Sequence, residues 1–180
     1  MRVPLKTDPK KIALAAMGAA ISLIFVLISF WVQKMTLSLN VIAACGMMLP
    51  LIKKYYRESI IAYAVVVLIG ALLTNIHILP FALVTGAYTI AAIIFHEKKV
   101  KAYVFFPIII IYSSLVFYIL YALTKLLIID FSKTNIANLS TTFIYIIFNI
   151  IFIIVFIIYH FSIIYTYKFI SSRLNTANSN

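Results

Sequence analysis

The sequence predicts an all-α integral membrane protein with six transmembrane helices and both termini in the cytoplasm. Hydrophobic residues make up 65% of the chain and charged residues 11%, whereas a soluble domain has about 25% charged residues. Uncharged apolar runs recur along the chain, and a run of about 20 residues crosses the hydrocarbon core of a bilayer. No segment between the runs is long enough for an aqueous domain, so residues 1–180 are predicted to form a single membrane domain.

The first three predicted spans cover residues 11–32, 37–52 and 59–74. The first follows a basic N-terminal segment, and its apolar run is too long for a cleaved signal peptide, so it is predicted to be a retained helix. The second and third are short, because 16 residues of helix reach only about 24 Å. Such lengths suit a thin bilayer or a site enclosed by protein.

The last three predicted spans cover residues 78–95, 102–123 and 142–168. Pro80 falls in the first turn of the fourth span, where proline is tolerated best, and Pro107 is expected to kink the fifth span near its start. The sixth span is long enough that it must tilt or project from the bilayer. Residues 173–180 are polar and are predicted to form a disordered tail.

The basic residues alternate across these spans. All but three of the 15 Lys and Arg residues fall on the side that holds both termini, and the exceptions are Lys34, Lys125 and Lys133. The positive-inside rule places the lysine-rich side in the cytoplasm. Because the basic residues lie in short clusters between apolar runs, the net charge of +11 indicates membrane topology and argues against nucleic acid as a partner.

Residues that would carry catalysis or bind a metal are missing from the predicted spans. The segment that starts at His96 resembles a zinc motif, but Val100 stands where the second histidine should be. Cys45 is the only cysteine, so it can form neither an internal disulfide nor a cysteine metal site. No acid lies inside a span, which argues against an ion-coupled carrier. We therefore predict no enzyme activity, no cofactor and no metal.

Polar and aromatic residues gather toward the predicted outer face, where they could orient a small ligand in an apolar pocket. Other roles are open for several of them. Tryptophan and tyrosine at helix ends anchor proteins at the membrane interface, Asn75 and His77 could cap a tight turn, and Asn149 could bond to a neighbouring helix. The candidate substrate-binding residues are Trp31, Gln33, Lys34, Asn40, Asn75, His77, Tyr121, Lys125 and Asn149.

Small residues wrap much of the first span in its predicted cytoplasmic half. In membranes, small residues that recur every three or four positions let two helices approach closely. The partner could be a neighbouring helix of the same chain or another protein, and different faces of the span could serve both. The candidate docking residues are Ala15, Ala16, Gly18, Ala19 and Ala20.

The segment KKIALAAMGAAISLI at the start of the first span resembles the opening of the substrate-binding S components of energy-coupling factor (ECF) transporters. The size, the six predicted spans and the A-x-x-x-A pairs Ala15–Ala19 and Ala16–Ala20 also fit that family. The resemblance implies a membrane subunit that captures a vitamin or other micronutrient at the outer face of a prokaryotic plasma membrane. It further implies that the alanine face docks on a membrane T component, and that two cytoplasmic ABC ATPases drive transport.

The main alternative is a non-transporting membrane scaffold, such as an MreD-like cell-shape protein, which has a similar size and number of helices. A scaffold predicts that the outer polar groups line no ligand pocket. A small membrane enzyme is a third possibility, against which the missing catalytic residues weigh.

Overall fold

The computed structural model describes residues 8–127 and 141–177. Throughout these two ranges the regular structure is helical, and neither range contains a strand. Six helical segments in them are long and apolar enough to cross a membrane. The prediction of an all-helical, multi-pass membrane protein is therefore confirmed.

The helices have the following bounds, in chain order: α1 Pro9–Trp31, α2 Thr36–Ile52, α3 Tyr56–Thr74, α4 Ala87–Glu97, α5 Ala102–Leu127 and α6 Thr141–Ala177. A 3-10 turn, Gln33–Met35, leads into α2, and a second, Asn75–Ile78, follows α3. The fourth span opens with a π-helix, Pro80–Gly86, that runs directly into α4. Pro80 thus lies in the first turn of its span, as the sequence predicted.

Helix α6 is longer than the predicted sixth span at its C-terminal end. It continues to Ala177, so residues 173–177 are helical where a disordered tail was expected. Once a helix is nucleated, each added residue contributes a backbone hydrogen bond at little further cost, which favours continuing the helix into a polar segment. Residues 178–180 lie outside the described part of the chain.

The first helix begins with a conventional cap. The Asp8 carboxylate accepts a hydrogen bond of 3.1 Å from the backbone N–H of Lys10, and Pro9 occupies the first helical position. An aspartate cap contributes about 1 kcal/mol to helix stability, and proline costs nothing where no backbone donor is needed. The first span therefore starts at Pro9, two residues before the predicted boundary.

The chain forms two compact units. The first unit contains α1 to α4 and the part of α6 from Ile163 onward, and the second contains α5 and the part of α6 up to Ser162. In the first unit, α1 packs most extensively against α2 and next against α3. Each unit is described by itself below.

Helices α1 and α2 cross at two glycines. A Cβ atom added to Gly18 would lie 2.6 Å from the Gly46 carbonyl oxygen, and one added to Gly46 would lie 2.8 Å from the Gly18 carbonyl oxygen. One turn along α1, the Ser22 hydroxyl donates a 2.6 Å hydrogen bond to the Ala43 carbonyl oxygen. Because lipid cannot drive helices together hydrophobically, close backbone packing of this kind is what stabilises the pair.

Helix α2 ends in a Schellman motif with lysine in the place of glycine. The Tyr55 N–H donates to the Pro50 carbonyl oxygen at 3.0 Å, and the Lys54 N–H donates to the Leu51 carbonyl oxygen at 2.8 Å. This pattern needs a left-handed residue after the cap, and Lys54 supplies it with φ of 60°. The turn brings α3 back alongside α2, where the Ser59 hydroxyl donates to the Met47 carbonyl oxygen at 3.3 Å.

Aromatic side chains hold the second unit together. Tyr112 and Phe156 have ring centroids 6.0 Å apart, and Phe117 and Phe152 have centroids 5.5 Å apart. Phe105 lies 4.5 Å from the His160 ring, also measured between centroids. These contacts run along the interface between α5 and α6, so stacked rings join the two helices of this unit.

Candidate functional site

Five exposed binding candidates of the first unit lie at or beside two of its helix connections. We call the polar rim the set formed by Trp31, Gln33, Lys34, Asn75 and His77, all of which are exposed. Trp31 ends α1, and Gln33 and Lys34 lie between α1 and α2. Asn75 and His77 lie between α3 and the π-helix. The sequence placed all of them among the ligand-binding candidates.

A ring contact joins the two connections. Phe30, at the end of α1, and His77 have ring centroids 5.3 Å apart in an edge-to-face arrangement. Such a pair contributes about 0.5–1.5 kcal/mol beyond its buried area, and it leaves the exposed His77 ring held at one position. The polar rim is therefore one region of the surface. The sequence analysis missed Phe30, because a phenylalanine in an apolar span carries no signal that distinguishes it from a lipid-facing residue.

Asn75 has an unusual backbone. Its φ of 53° and ψ of −128° belong to a region that residues other than glycine rarely adopt. Just before it, the Thr74 hydroxyl donates a 2.8 Å hydrogen bond to the Gly70 carbonyl oxygen and closes the end of α3. Strained backbone of this kind collects at functional sites and tight turns, so the geometry fits both the binding role and the turn-capping role that the sequence left open for Asn75.

Asn40, another binding candidate, does not belong to the rim. It is fully buried, with 0% of its surface exposed, and its side-chain oxygen lies 3.2 Å from the Ser29 hydroxyl. The same hydroxyl lies 2.7 Å from the Val26 carbonyl oxygen. Since a hydroxyl has one hydrogen, Ser29 cannot donate to both. Asn40 of α2 therefore faces Ser29 of α1 inside the unit, and its role in ligand binding stays a prediction.

The amide nitrogen of Asn40 has no hydrogen-bond partner among the described residues. Leaving such a buried donor unpaired costs about 1–3 kcal/mol. Nearby, the Thr36 hydroxyl is within hydrogen-bonding distance of the Gln33 carbonyl oxygen at 2.8 Å and of the Ser29 carbonyl oxygen at 3.3 Å. A polar node formed by Ser29, Thr36 and Asn40 thus lies beneath the connection that carries Gln33 and Lys34.

The π-helix that follows the rim is also anchored by a polar contact. The Tyr63 hydroxyl of α3 donates a 2.6 Å hydrogen bond to the Ala82 carbonyl oxygen. A Cβ atom on Gly86 would lie 2.9 Å from Cε2 of the Tyr63 ring, so only glycine at this position leaves room for the ring. π-Helical turns are rare and often occur near functional sites. This π-helix could not be predicted from the sequence, since Pro80 at the start of a span fits an ordinary α-helix equally well.

The second unit holds the remaining binding candidates. Asn149 of α6 is half-buried, and its side-chain oxygen accepts a 3.3 Å hydrogen bond from the Ser114 hydroxyl of α5. This contact fits the helix–helix role that the sequence left open for Asn149. The rings of Tyr121 and Tyr145 have centroids 5.2 Å apart, so Tyr121 belongs to the aromatic packing of α5 and α6. The Lys125 side chain lies outside the described part of the structure.

The small residues of α1 divide between two faces. Gly18 and Ala15 are buried, and a Cβ atom on Gly18 would meet α2, so in this structure they pack within the chain. Their docking role stays a prediction. Ala19 is half-buried, whereas Ala16 and Ala20 are exposed. We call Ala16 and Ala20 the exposed alanine pair. It is the part of the predicted docking surface that another protein could reach without unpacking α1 from α2.

Comparison with known proteins returns no match: no protein family model, no curated protein and no solved structure is significantly similar to the chain.

Proposed function

We propose that the protein is the substrate-binding membrane subunit of an ECF-type ABC importer, which captures a vitamin or other micronutrient. The observation that carries the proposal is the arrangement of two surfaces along one helix. The exposed alanine pair lies near the start of α1, and the polar rim begins at Trp31, at its end. Trp31 lies 15 residues after Ala16, which is about 22 Å along the helix at 1.5 Å per residue, so a partner and a ligand would not compete for the same place.

The orientation follows from charge. The positive-inside rule places the lysine-rich ends of the helices in the cytoplasm, together with both termini, and the polar rim outside. By the resemblance to ECF importers, the membrane would be the plasma membrane of a prokaryote. In this orientation the exposed alanine pair lies in the cytoplasmic half of α1, near the ATPases that would drive transport.

The polar rim supplies the groups that a small polar micronutrient needs. Trp31, which is 83% exposed, offers a flat apolar ring with one donor, and His77 offers a second ring that Phe30 holds in place. Gln33 and Asn75 provide amide donors and acceptors, and Lys34 provides a positive charge. A few polar groups beside apolar surface are typical of sites for small molecules.

The proposed energy source is a separate protein. The sequence carries no phosphate-binding loop and no intramembrane acid for ion coupling. A membrane T component would dock on the exposed alanine pair, and two cytoplasmic ABC ATPases bound to it would supply the work. In this assembly the chain itself binds substrate and is no enzyme.

The test is to identify the small molecules that the purified protein retains, by mass spectrometry, and to compare two histidine variants. His77→Phe keeps a ring against Phe30 but removes the polar nitrogens, so the retained compound should be lost while the protein stays folded. His96→Phe, in the last turn of α4, is the matched control and should retain the compound. Equal retention by both variants, or no retained compound in the wild-type protein, would contradict the proposal.

A membrane scaffold of the MreD-like kind is the second candidate, and one observation favours it. The amides of Asn40 and Asn149 bond within their own units, so these two predicted binding residues serve helix packing. A scaffold would retain no small molecule, yet it would still associate with other membrane proteins through exposed helix faces. The retained-compound experiment therefore separates the two functions.

A further inference from the structure

Basic side chains from three places in the first unit come together at one end of its helices. Two contacts fix the arrangement. The Lys11 ammonium lies 5.2 Å from the centroid of the Tyr55 ring, which joins the start of α1 to the turn between α2 and α3. The Lys54 ammonium lies 3.4 Å from a Glu97 carboxylate oxygen, which joins that turn to the end of α4. We call the basic patch the set Lys10, Lys11, Lys53, Lys54, Arg57 and Lys98.

Acidic groups within the unit balance only part of this charge. Glu97 pairs with Lys54 and, through its other oxygen, accepts a 3.0 Å hydrogen bond from the Tyr167 hydroxyl. Asp8 uses its carboxylate to cap α1, and Glu58 lies in the first turn of α3, next to Arg57 in the sequence. Among the described residues, Lys53, Arg57 and Lys98 form no ion pair, and all three are exposed. Like charges gathered at one end of the helices repel one another, and an anion between them relieves the repulsion.

At the centre of the patch, lysine occupies a backbone conformation that glycine would adopt with less strain. Lys54 adopts φ of 60° at the Schellman position that glycine normally fills. Lysine at that position keeps a positive charge in the middle of the patch, between Lys53 and the Tyr55 ring. A lysine just after a helix end also interacts favourably with the helix dipole, so Lys54 serves the turn and adds to the positive charge of the patch.

The surroundings of the patch indicate which anion it meets. Tyr55 and Tyr56 are half-buried at the turn, beside apolar helices long enough to span a bilayer. Tyrosine rings at helix ends lie at the depth of the lipid headgroups, and basic clusters next to a span bind anionic headgroups. Arg57 adds a planar guanidinium, which can hold two phosphate oxygens at once.

We propose that the basic patch binds the phosphate headgroup of an anionic phospholipid. The lipid would lie with its phosphate against Arg57 and Lys53 and its acyl chains along the apolar surface of the helices. The bound phosphate would neutralise positive charge that Asp8, Glu58 and Glu97 leave unbalanced. This proposal does not depend on what the polar rim binds, because the two regions lie at opposite ends of α1.

The test compares lipid binding to the purified full-length protein in detergent, using phosphatidylglycerol and phosphatidylcholine. Native mass spectrometry counts the bound lipids, and thermal unfolding reports the stabilisation. Phosphatidylglycerol should bind more tightly and stabilise more. Arg57→Gln should weaken its binding about fivefold, since one cation near a membrane surface contributes about that factor.

Lys34→Gln is the matched control, because it removes the same charge at the opposite end of α1 and should leave lipid binding unchanged. Arg57→Lys keeps the charge and should retain most of the affinity, and Lys53→Gln repeats the comparison if Arg57→Gln does not fold. Equal binding of the two lipids, or equal losses in Arg57→Gln and Lys34→Gln, would overturn the proposal. Displacement of the lipid by millimolar inorganic phosphate would also overturn it, since the patch would then be a site for free anions.

Discussion

A Cβ atom on Gly18 would lie 2.6 Å from the carbonyl oxygen of Gly46, so the backbones of α1 and α2 meet where neither helix tolerates a side chain. We expect Gly18→Ala and Gly46→Ala each to destabilise the protein by about 1–3 kcal/mol, because backbone has to move to admit the methyl group. Thermal unfolding in detergent measures the effect.

Gly70→Ala is the control for this prediction. A Cβ atom there would meet Cδ1 of Ile78, the far end of a flexible side chain, at 2.5 Å. The Ile78 side chain can rotate away, so Gly70→Ala should cost less than either crossing variant. A Gly46→Ala variant as stable as the wild type would mean that the two helices do not cross this closely.

The exposed alanine pair leads to a prediction about the partner. Ala16→Leu with Ala20→Leu should reduce co-purification of the proposed T component about tenfold or more, a loss of about 1.4 kcal/mol in binding. Both residues are exposed, so the free protein should keep its unfolding temperature. Quantitative mass spectrometry of the protein purified from its native membrane measures the co-purified subunits.

Another exposed pair of alanines provides the control for docking. Ala64 and Ala71 lie on α3 and are exposed as well, so Ala64→Leu with Ala71→Leu adds the same bulk to a different helix. This variant should keep the T component. If both double variants lose it equally, the loss reflects added bulk in general and not docking through α1.

From the Ser29–Asn40 contact we predict that substituting the two residues has opposite effects on the free energy of unfolding. Ser29→Ala leaves the buried Asn40 amide without its described partner and should cost about 1–3 kcal/mol. Asn40→Leu removes the amide altogether, fills a similar volume with apolar atoms, and should be neutral or stabilising. The free energy of unfolding in detergent distinguishes them. Strong destabilisation by Asn40→Leu would show that the amide makes further bonds that stabilise the fold.

From the left-handed backbone of Lys54 we predict that two variants lacking its charge differ in stability. Lys54→Gly and Lys54→Ala both remove the ion pair with Glu97, which is worth little because the lysine side chain is 68% exposed. Only glycine adopts the left-handed backbone of this position without strain. Lys54→Gly should therefore be more stable than Lys54→Ala by about 1 kcal/mol, as measured by denaturant unfolding. Equal stability would mean that the turn changes conformation in the variants.

The number and positions of the helices could be predicted from the sequence because they depend on one-dimensional properties. Apolar run length decides whether a segment can span a bilayer, and the first four spans end within a few residues of their predicted limits. The end of α6 was missed, since helix propagation into a polar segment depends on the helix already formed and not on hydropathy.

Which small residues of α1 are buried and which are exposed could not be predicted in the same way. Ala15, Gly18 and Ser22 recur at helical spacing and are buried, but Ala16 and Ala20 recur just as regularly and are exposed. Which of these two sets packs inside depends on Gly46, a residue of another helix. Its carbonyl oxygen lies where a Cβ atom on Gly18 would clash. Likewise, the burial of Asn40 depends on Ser29 across the same interface.

Trp31 is the only tryptophan in the chain, and it is 83% exposed at the end of α1. The indole fluorescence of the whole protein therefore originates at the polar rim, and no engineered label is needed to observe that region. Brominated lipids would quench this emission according to depth in the bilayer. A molecule that settles on the rim would shift the emission to shorter wavelength, so compound collections could be screened by spectroscopy on the unmodified protein.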